Sequence, residues 1–495
     1  MKRIIIILLF VFIYCNENVF SQTNPDLKRT WHWYFGDKAG LDFSSGSPVA
    51  VTNGQMSAVD GTVSLSDTSG NFLFYSDGFS VWNRNHQIMP NGTGLVGPYG
   101  SSGYKQIIAV PQPDHNNFYY IFSWEYDSTY IHTREIYAII DMNQDGGLGD
   151  VISKRNYLMY DVAEKRTAVM HKNRKDIWIV VPKFATNAFY SFLLTNSGIN
   201  TVPVISTAGV IDNYGTCRMK FSPDGSLLAN GLRFTGQELL KFDNSSGVVS
   251  DYINFPSFNN CEEYGFEFSP DGKKLYYTVY SAITNPTPVN THNAIYQVSL
   301  VGDSAAIVNS RILLDTAEII DNGHTTSFTH SFSYILQKGS DEKIYSTNEG
   351  TSYLGCINFP NNAGISCNYI DNAISLNNRI CGTGLPYFLS NYFLTDTISG
   401  INNYFLEKAA ILDQNSPNPY KEETIIKYKL PESVKEAKIE FNNIDGELVK
   451  TDYLQGRGNG VMHVYASNLS SGIYTYTLIA DGKVIDTKKL ICLEK

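Results

Sequence analysis

The chain has 495 residues and a formal charge of −10, and no cluster of Lys and Arg follows its first residues, which excludes a nucleic-acid partner held through its phosphates. With 43% hydrophobic and only 17% charged residues it is too apolar to be disordered, and it is long enough for more than one domain. Its 33 Tyr and 27 Phe favour stacked sheets with mostly buried faces, so an all-β fold is expected.

The first residues, MKRIIIILLFVFIYCNENVFSQTNPD, join two positive charges to an apolar run from Ile4 to Tyr14 and then a polar stretch. That is the layout of a secretory signal peptide over residues 1–22, with cleavage near Ser21–Gln22. Cys15 invites an acylated-lipoprotein reading, but bulky Tyr14 beside it disfavours cleavage there. No later apolar run reaches the ~18 residues of a membrane helix, so no transmembrane segment is expected in the mature chain.

From residue 30 to 393 one pattern recurs: turn residues followed by an aromatic strand. It begins after WYFGDKAGLDF (Trp33 to Phe43) with SDTSGNFLFYSDG from Ser66 and PQPDHNNFYYIFS from Pro111. The loop DMNQDGGLGD comes next. It sets Asp141, Asn143 and Asp145 at alternate positions before Gly146, a spacing that suits an oxygen-ligand calcium loop and equally suits a plain Asx turn. The pattern then returns in HKNRKDIWIVVP from His171 and is written most cleanly as FSPDG, at 221–225 and again at 268–272. Pro presets the turn, Asp-Gly reverses it, and the apolar runs on either side supply two antiparallel strands. A last copy, QKGSDEKIYST, starts at Gln337.

Six hairpins at intervals of roughly 45–70 residues approach the ~40–50 residues of a four-stranded propeller blade. FSPDGKKLYY resembles the repeat of WD-repeat-like (WD40-like) β-propellers found in many exported bacterial proteins. The resemblance implies a six- or seven-bladed β-propeller over residues 30–393. Such rings close by pairing strands from both ends, and Trp33–Phe43 and GLPYFLSNYF (Gly384–Phe393) are the candidates for that pairing. A β-sandwich or two smaller β-domains would use the same hairpins.

Catalytic signatures are sparse. The G-x-S-x-G elbow, HExxH, CxxC and the P-loop do not occur. His324 and His330 share the polar stretch NGHTTSFTHS without an evident third ligand, and Glu262–Glu263 precede a strand. The mature chain keeps Cys217, Cys261, Cys356, Cys367, Cys381 and Cys492 in an oxidising compartment; one disulfide is expected, Cys367–Cys381, since both flank the candidate closing strands and lie close in sequence, with buried free thiols as the alternative.

After a linker over residues 394–411 the character changes. Short alternating strands such as TIIKYKL, AKIEFNNI and IYTYTLI alternate with Pro, Asn-Asn, Asp-Gly and Ser-Gly turns, the pattern of a small Ig-like β-sandwich over 412–495. The segment resembles the type A C-terminal sorting domain of the type IX secretion system. The matching residues are Pro417, Asn418 and Pro419 in QNSPNPY, Asp445 and Gly446 in IDGELV, Gly472 and Tyr474 in SGIYTYTL, and Lys488 and Lys489 in TKKLI. The resemblance implies recognition by an outer-membrane translocon, removal of the domain by a sortase-like peptidase, and release or attachment at the cell surface. The whole then reads as a secreted or cell-surface propeller that binds a protein or glycan. A propeller-based extracellular hydrolase or lyase is the alternative.

Overall fold

The computed structural model describes residues 24–96, 106–129, 131–256, 261–281, 292–321, 326–328, 335–394, 410–431, 434–444, 446–481 and 483–493. The leader expected at residues 1–22, His324, His330 and Asp445 lie outside them. The chain divides into two compact units, Met1–Asp396 and Thr397–Lys495.

Among the described residues of the first unit, seven antiparallel sheets follow one another in chain order, each a meander of consecutive strands except the fourth, where Val204–Thr207 pairs back on Ala188–Thr195. Sheet 1 has three strands, His32–Phe35, Ala39–Asp42 and Val49–Val51. Sheets 2 to 7 open with Val63–Ser66, Ile108–Pro111, Thr167–Met170, Met219–Phe221, Cys261–Phe268 and Leu336–Lys338, and each continues outward through at least three more strands. The unit is a β-propeller.

The repeated turn of the sequence has one job. In sheets 2 to 7 it joins the first strand to the second: Asp67–Asn71, Gln112–Asn117, His171–Asp176, Ser222–Ser226, Ser269–Lys273 and Gly339–Lys343 all lie between those strands. In five of the six, the fourth residue past the first strand is left-handed: Gly70, Arg174, Gly225, Gly272 and Glu342. In the two clean copies the Asp carboxylate holds the turn. Asp224 accepts from Ser222 Oγ (2.6 Å) and the Ser226 N–H (3.1 Å), and Asp271 from Ser269 Oγ (2.6 Å) and the Lys273 N–H (3.0 Å). Glycine is needed twice over at 225, where φ is 75° and a Cβ would stand 2.6 Å from Val169 Cγ2.

Alternation along the strands supplies the core. In sheet 5, Leu228 packs toward sheet 4 with Phe221, Leu240, Val169 and Trp178, while its neighbour Ala229 packs toward sheet 6 with Leu239, Phe268 and Tyr277. Sheets 6 and 7 meet through Tyr276, Leu336, Ile344 and Ile357. Each such side chain contributes roughly 1.5–3 kcal/mol by burial. The ring returns on itself where Trp33 and Phe43 of sheet 1 meet Tyr345 of sheet 7, with ring centroids 5.7 and 5.6 Å apart.

The two closing strands expected from sequence behave differently. Trp33–Phe43 forms the first hairpin of sheet 1, turned by Gly36 and Lys38 with positive φ. Gly384–Phe393 joins no sheet. It makes a single parallel bridge, Thr62 to Pro386, and ends in a short 3-10 turn at Ser390–Phe393.

The second unit is a two-sheet β-sandwich. One sheet runs Ile411–Leu412, Glu423–Leu430, Gly458–Tyr465, and the other Leu448–Tyr453, Ala437–Asn443, Gly472–Ala480, Lys483–Cys492. Ile426, Ile439, Phe441, Val464, Tyr476, Leu478 and Leu490 fill the space between them. Among the described residues Ala410 belongs to this core and Ile411 pairs with Lys429, both ahead of the sequence-based boundary at 412. Among the described residues no helix is long and apolar enough to cross a membrane.

Candidate functional site

The first strands of the sheets surround a central channel, and the residues just before and along them line it: Thr62, Gln106, Arg218, Lys220, Phe266 and Gln337. The channel is filled by Gly384–Phe393. Gly384 enters where a Cβ would lie 2.7 Å from Asp60 Oδ1, so only glycine passes. The Tyr387 N–H donates to Thr62 O (3.0 Å), its hydroxyl meets Thr167 Oγ1, and Lys220 lies over its ring at 4.5 Å. Further along, Ser390 Oγ donates to Phe221 O (2.6 Å), and Asn391 donates to Pro223 O (2.8 Å) while accepting from the Met170 N–H (2.8 Å). The space left is about 30 Å³, room for one or two waters, and Thr62 Oγ1 faces the channel without a protein partner.

Charge is arranged around this segment as buried pairs. Arg166 holds Glu135 through two contacts of 2.9 and 3.0 Å with both side chains fully buried. Lys220 meets Glu267 at 3.1 Å and donates to Gln337 Oε1 at 3.0 Å. Arg218 pairs with Asp60, and Lys165 with Asp212 at 2.7 Å. Burial pushes Glu135 and Asp60 up and Lys220 and Arg166 down, and in each case the partner's opposite charge resists it. Lys338 is buried with its Nζ unbonded, 5.1 Å from the Phe393 ring centroid, and burial lowers it to about 8.

At the end where the first strands begin, the channel mouth carries a different set. Glu164, on the linker before Thr167, is half-buried and pushed up to about 7 by burial, against the pull of Arg166, Arg218 and Arg233, with Asp60 adding to the rise. Arg233, on the loop between the second and third strands of sheet 5, lies 4.8 Å over the Phe234 ring, and Tyr214 meets that ring edge-on at 5.2 Å. Tyr214 is 47% exposed and Phe184, packed against Gly215, is 43% exposed. These residues come from four separate connections between strands, and nothing in the sequence pattern joins them.

A raised carboxyl pKa has a definite sign. Folded Glu164 binds its proton more tightly than the unfolded chain, so its stabilising contribution is complete below the ordinary value near 4.5 and is lost as pH rises to about 7. Glu164→Gln should therefore raise stability at pH 8 by on the order of 1–2 kcal/mol, and the gain should vanish by pH 4. Urea titrations of both proteins across that range measure it, and a gain that is constant with pH would contradict the shift.

The residues singled out from sequence fare unequally. Asp141 sits in a closed Asx turn: Oδ1 accepts from the Asn143 N–H (2.9 Å) and Oδ2 from Gln144 Nε2 (2.8 Å). Asn143 and Asp145 are exposed, Asp150 accepts from Asn91 (3.0 Å), and among the described residues no three His, Cys, Asp or Glu side chains converge. Cys367 and Cys381 are not bonded to each other. Both are free thiols in different cores, Cys367 beside Tyr276 between sheets 6 and 7, Cys381 against the Gly382 carbonyl (3.1 Å) in the cluster around sheet 1. Burial drives the Cys381 thiol up to about 12, which keeps it unreactive. The side chains of Glu262 and Glu263 lie outside the described residues.

The tail residues do gather. Asn418 clamps the last strand, donating to Lys489 O (2.8 Å) and accepting from the Ile491 N–H (2.9 Å), and the Ser416–Pro417 and Asn418–Pro419 bonds on either side of it are cis. Asn415 donates to Thr424 Oγ1 (2.9 Å), which donates to Pro417 O (2.7 Å). Tyr474 is buried with its hydroxyl on Ser470 O (2.9 Å), at the start of the strand that Gly472 opens. Gly446 turns a hairpin at φ 83°, and Lys488 pairs with Asp486 at 2.8 Å. Residues 416–493 match the family model described as the secretion system C-terminal sorting domain. The tail is a type IX secretion sorting domain. The sorting domain marks the protein for export to the cell surface or the medium, and implies contact with that secretion machinery.

No curated protein matches the chain. Among solved structures it is similar to a Bacteroides uniformis protein assigned as a 6-phosphogluconolactonase, at 11% identity and a TM-score of 0.44, over 72% of this chain and 99% of that one. It is also similar to prolyl oligopeptidase B from Galerina marginata, at 8% identity and a TM-score of 0.35, over 83% of this chain and 56% of that one. A third is the Dos1 propeller, at 10% identity and a TM-score of 0.27, over 79% and 94%.

Proposed function

We propose that the protein is an exported binding module whose propeller holds a protein or glycan ligand at the channel mouth. The observation that carries this reading is the exposed pair Tyr214 and Phe184, with half-buried Phe234 beside Arg233. Aromatic rings and arginine dominate the energetics of protein interfaces, and exposed rings also stack on sugar faces. The buried acids Glu135, Asp60 and Glu267 are each matched by a base, which does not suit the carboxylate pair of a glycosidase. The hydrolase reading rests on Glu164 alone, the half-buried carboxyl held near neutrality.

The test is a binding screen of the full chain against glycans and extracellular proteins. For a ligand so found, Tyr214→Ala and Arg233→Ala should each weaken binding about tenfold or more, a loss of ~1.4 kcal/mol. Unchanged affinity in both variants would overturn the assignment of the mouth. Turnover of a glycan that Glu164→Gln abolishes would replace binding with hydrolysis.

A further inference from the structure

We propose that the central channel is a binding site for an extended peptide, and that its resident ligand is this chain's own Gly384–Phe393, which pins the ring closed. Sheet 1 and sheet 7 are each built from their own consecutive strands, with no strand shared between the two ends among the described residues. Closure therefore falls to side-chain packing, one bridge between Asp37 and Ile380, hydrogen bonds from Thr383 to Val59 O and from Arg379 to Thr52 O, and the segment in the channel.

That segment bonds to the inner surface as a bound peptide would. The carbonyls of Thr62, Phe221 and Pro223 accept from it, and Lys220 donates to Phe388 O at 3.5 Å. Its apolar residues divide between the ends: Phe388 packs on Trp33 of sheet 1 at 5.9 Å, and Phe393 faces Lys338 of sheet 7 at 5.1 Å. One peptide thus touches the first and last sheets together. The amino-terminal side locks onto it as well, since Asn24 Nδ2 donates to the carbonyls of Asn391 and Tyr392, both at 3.2 Å. Both ends of the propeller depend on the same ten residues.

The test uses the full chain with a protease site inserted between Asn377 and Asn378, two exposed residues upstream of the segment. After cleavage, the fragment carrying residues 378–495 should co-elute with the ring on gel filtration, although no covalent bond joins them. Separation while the ring keeps its melting temperature would overturn the proposal. Where the ring falls apart on cleavage, a synthetic peptide of residues 382–394 should restore its transition, and failure to restore it would count against a peptide site. In the uncut chain, Ser390→Ala with Asn391→Ala removes three hydrogen bonds and should lower the propeller's melting temperature by about 3 °C or more. Under the proposal the double variant also exposes the amino terminus near Asn24 to proteolysis, and the sorting domain's own transition stays in place as a reference. A double variant with unmoved melting and unchanged proteolysis at Asn24 would refute the pin.

Discussion

A chain ended after Asp396 should remain in the periplasm as a folded, protease-resistant propeller, while the intact chain reaches the surface or the medium. The physical basis is the separation of the two units: the propeller closes its own core and its own channel by Phe393, and the sorting domain starts a new core at Ala410. Stopping at Asp396 avoids leaving half of the sandwich's first strand, Ile411–Leu412, exposed. Fractionation of cells expressing each form decides the matter. Equal amounts of both outside the cell would remove the sorting domain from the export route, and degradation of the short form would show that the propeller needs the tail for stability.

The second large effect concerns the buried Glu135–Arg166 pair between sheets 3 and 4. Glu135→Leu leaves the Arg166 guanidinium buried with backbone carbonyls, those of Gln106, Glu164 and Ala163, as its hydrogen-bond partners and the Glu164 carboxyl as its remaining counter-charge. Stripping a buried charge of its hydrogen-bonded partner costs about 3–5 kcal/mol, a large part of a domain's total stability. Replacing both residues, as Glu135→Leu with Arg166→Met, removes the charge along with its partner and should recover most of that loss. Denaturant titration of the three proteins separates the outcomes. If the double variant is as unstable as the single one, the pair serves packing and the bonds to Gln106, and the electrostatic account fails.

What lay open in the sequence is what neighbouring residues decide among themselves. The hairpins of sheets 2 to 7 need only a turn that Asp224, Gly225 and their equivalents can close locally, and alternating apolar residues on either side, so six of them were visible in one dimension. The sorting domain was visible for a related reason: its Asn, Pro and Tyr positions are fixed by a buried network within one small fold. The first hairpin is hidden in the sequence because Gly36–Lys38 reverses the chain without Pro, so that Trp33–Phe43 reads as a strand in search of a partner. Gly384–Phe393 is hidden for the opposite reason. Its run of aromatic and apolar residues reads as a strand, yet its partners are carbonyls such as Phe221 O, 169 residues away, so only the closed ring turns it into a pin. The same holds for Asp60 with Arg218, 158 residues apart, and for the mouth assembled from Phe184, Tyr214 and Arg233. Local hydrogen bonding is written in spacing, whereas charge pairs and ligand surfaces that gather one residue from each of several sheets carry no period for a sequence to display.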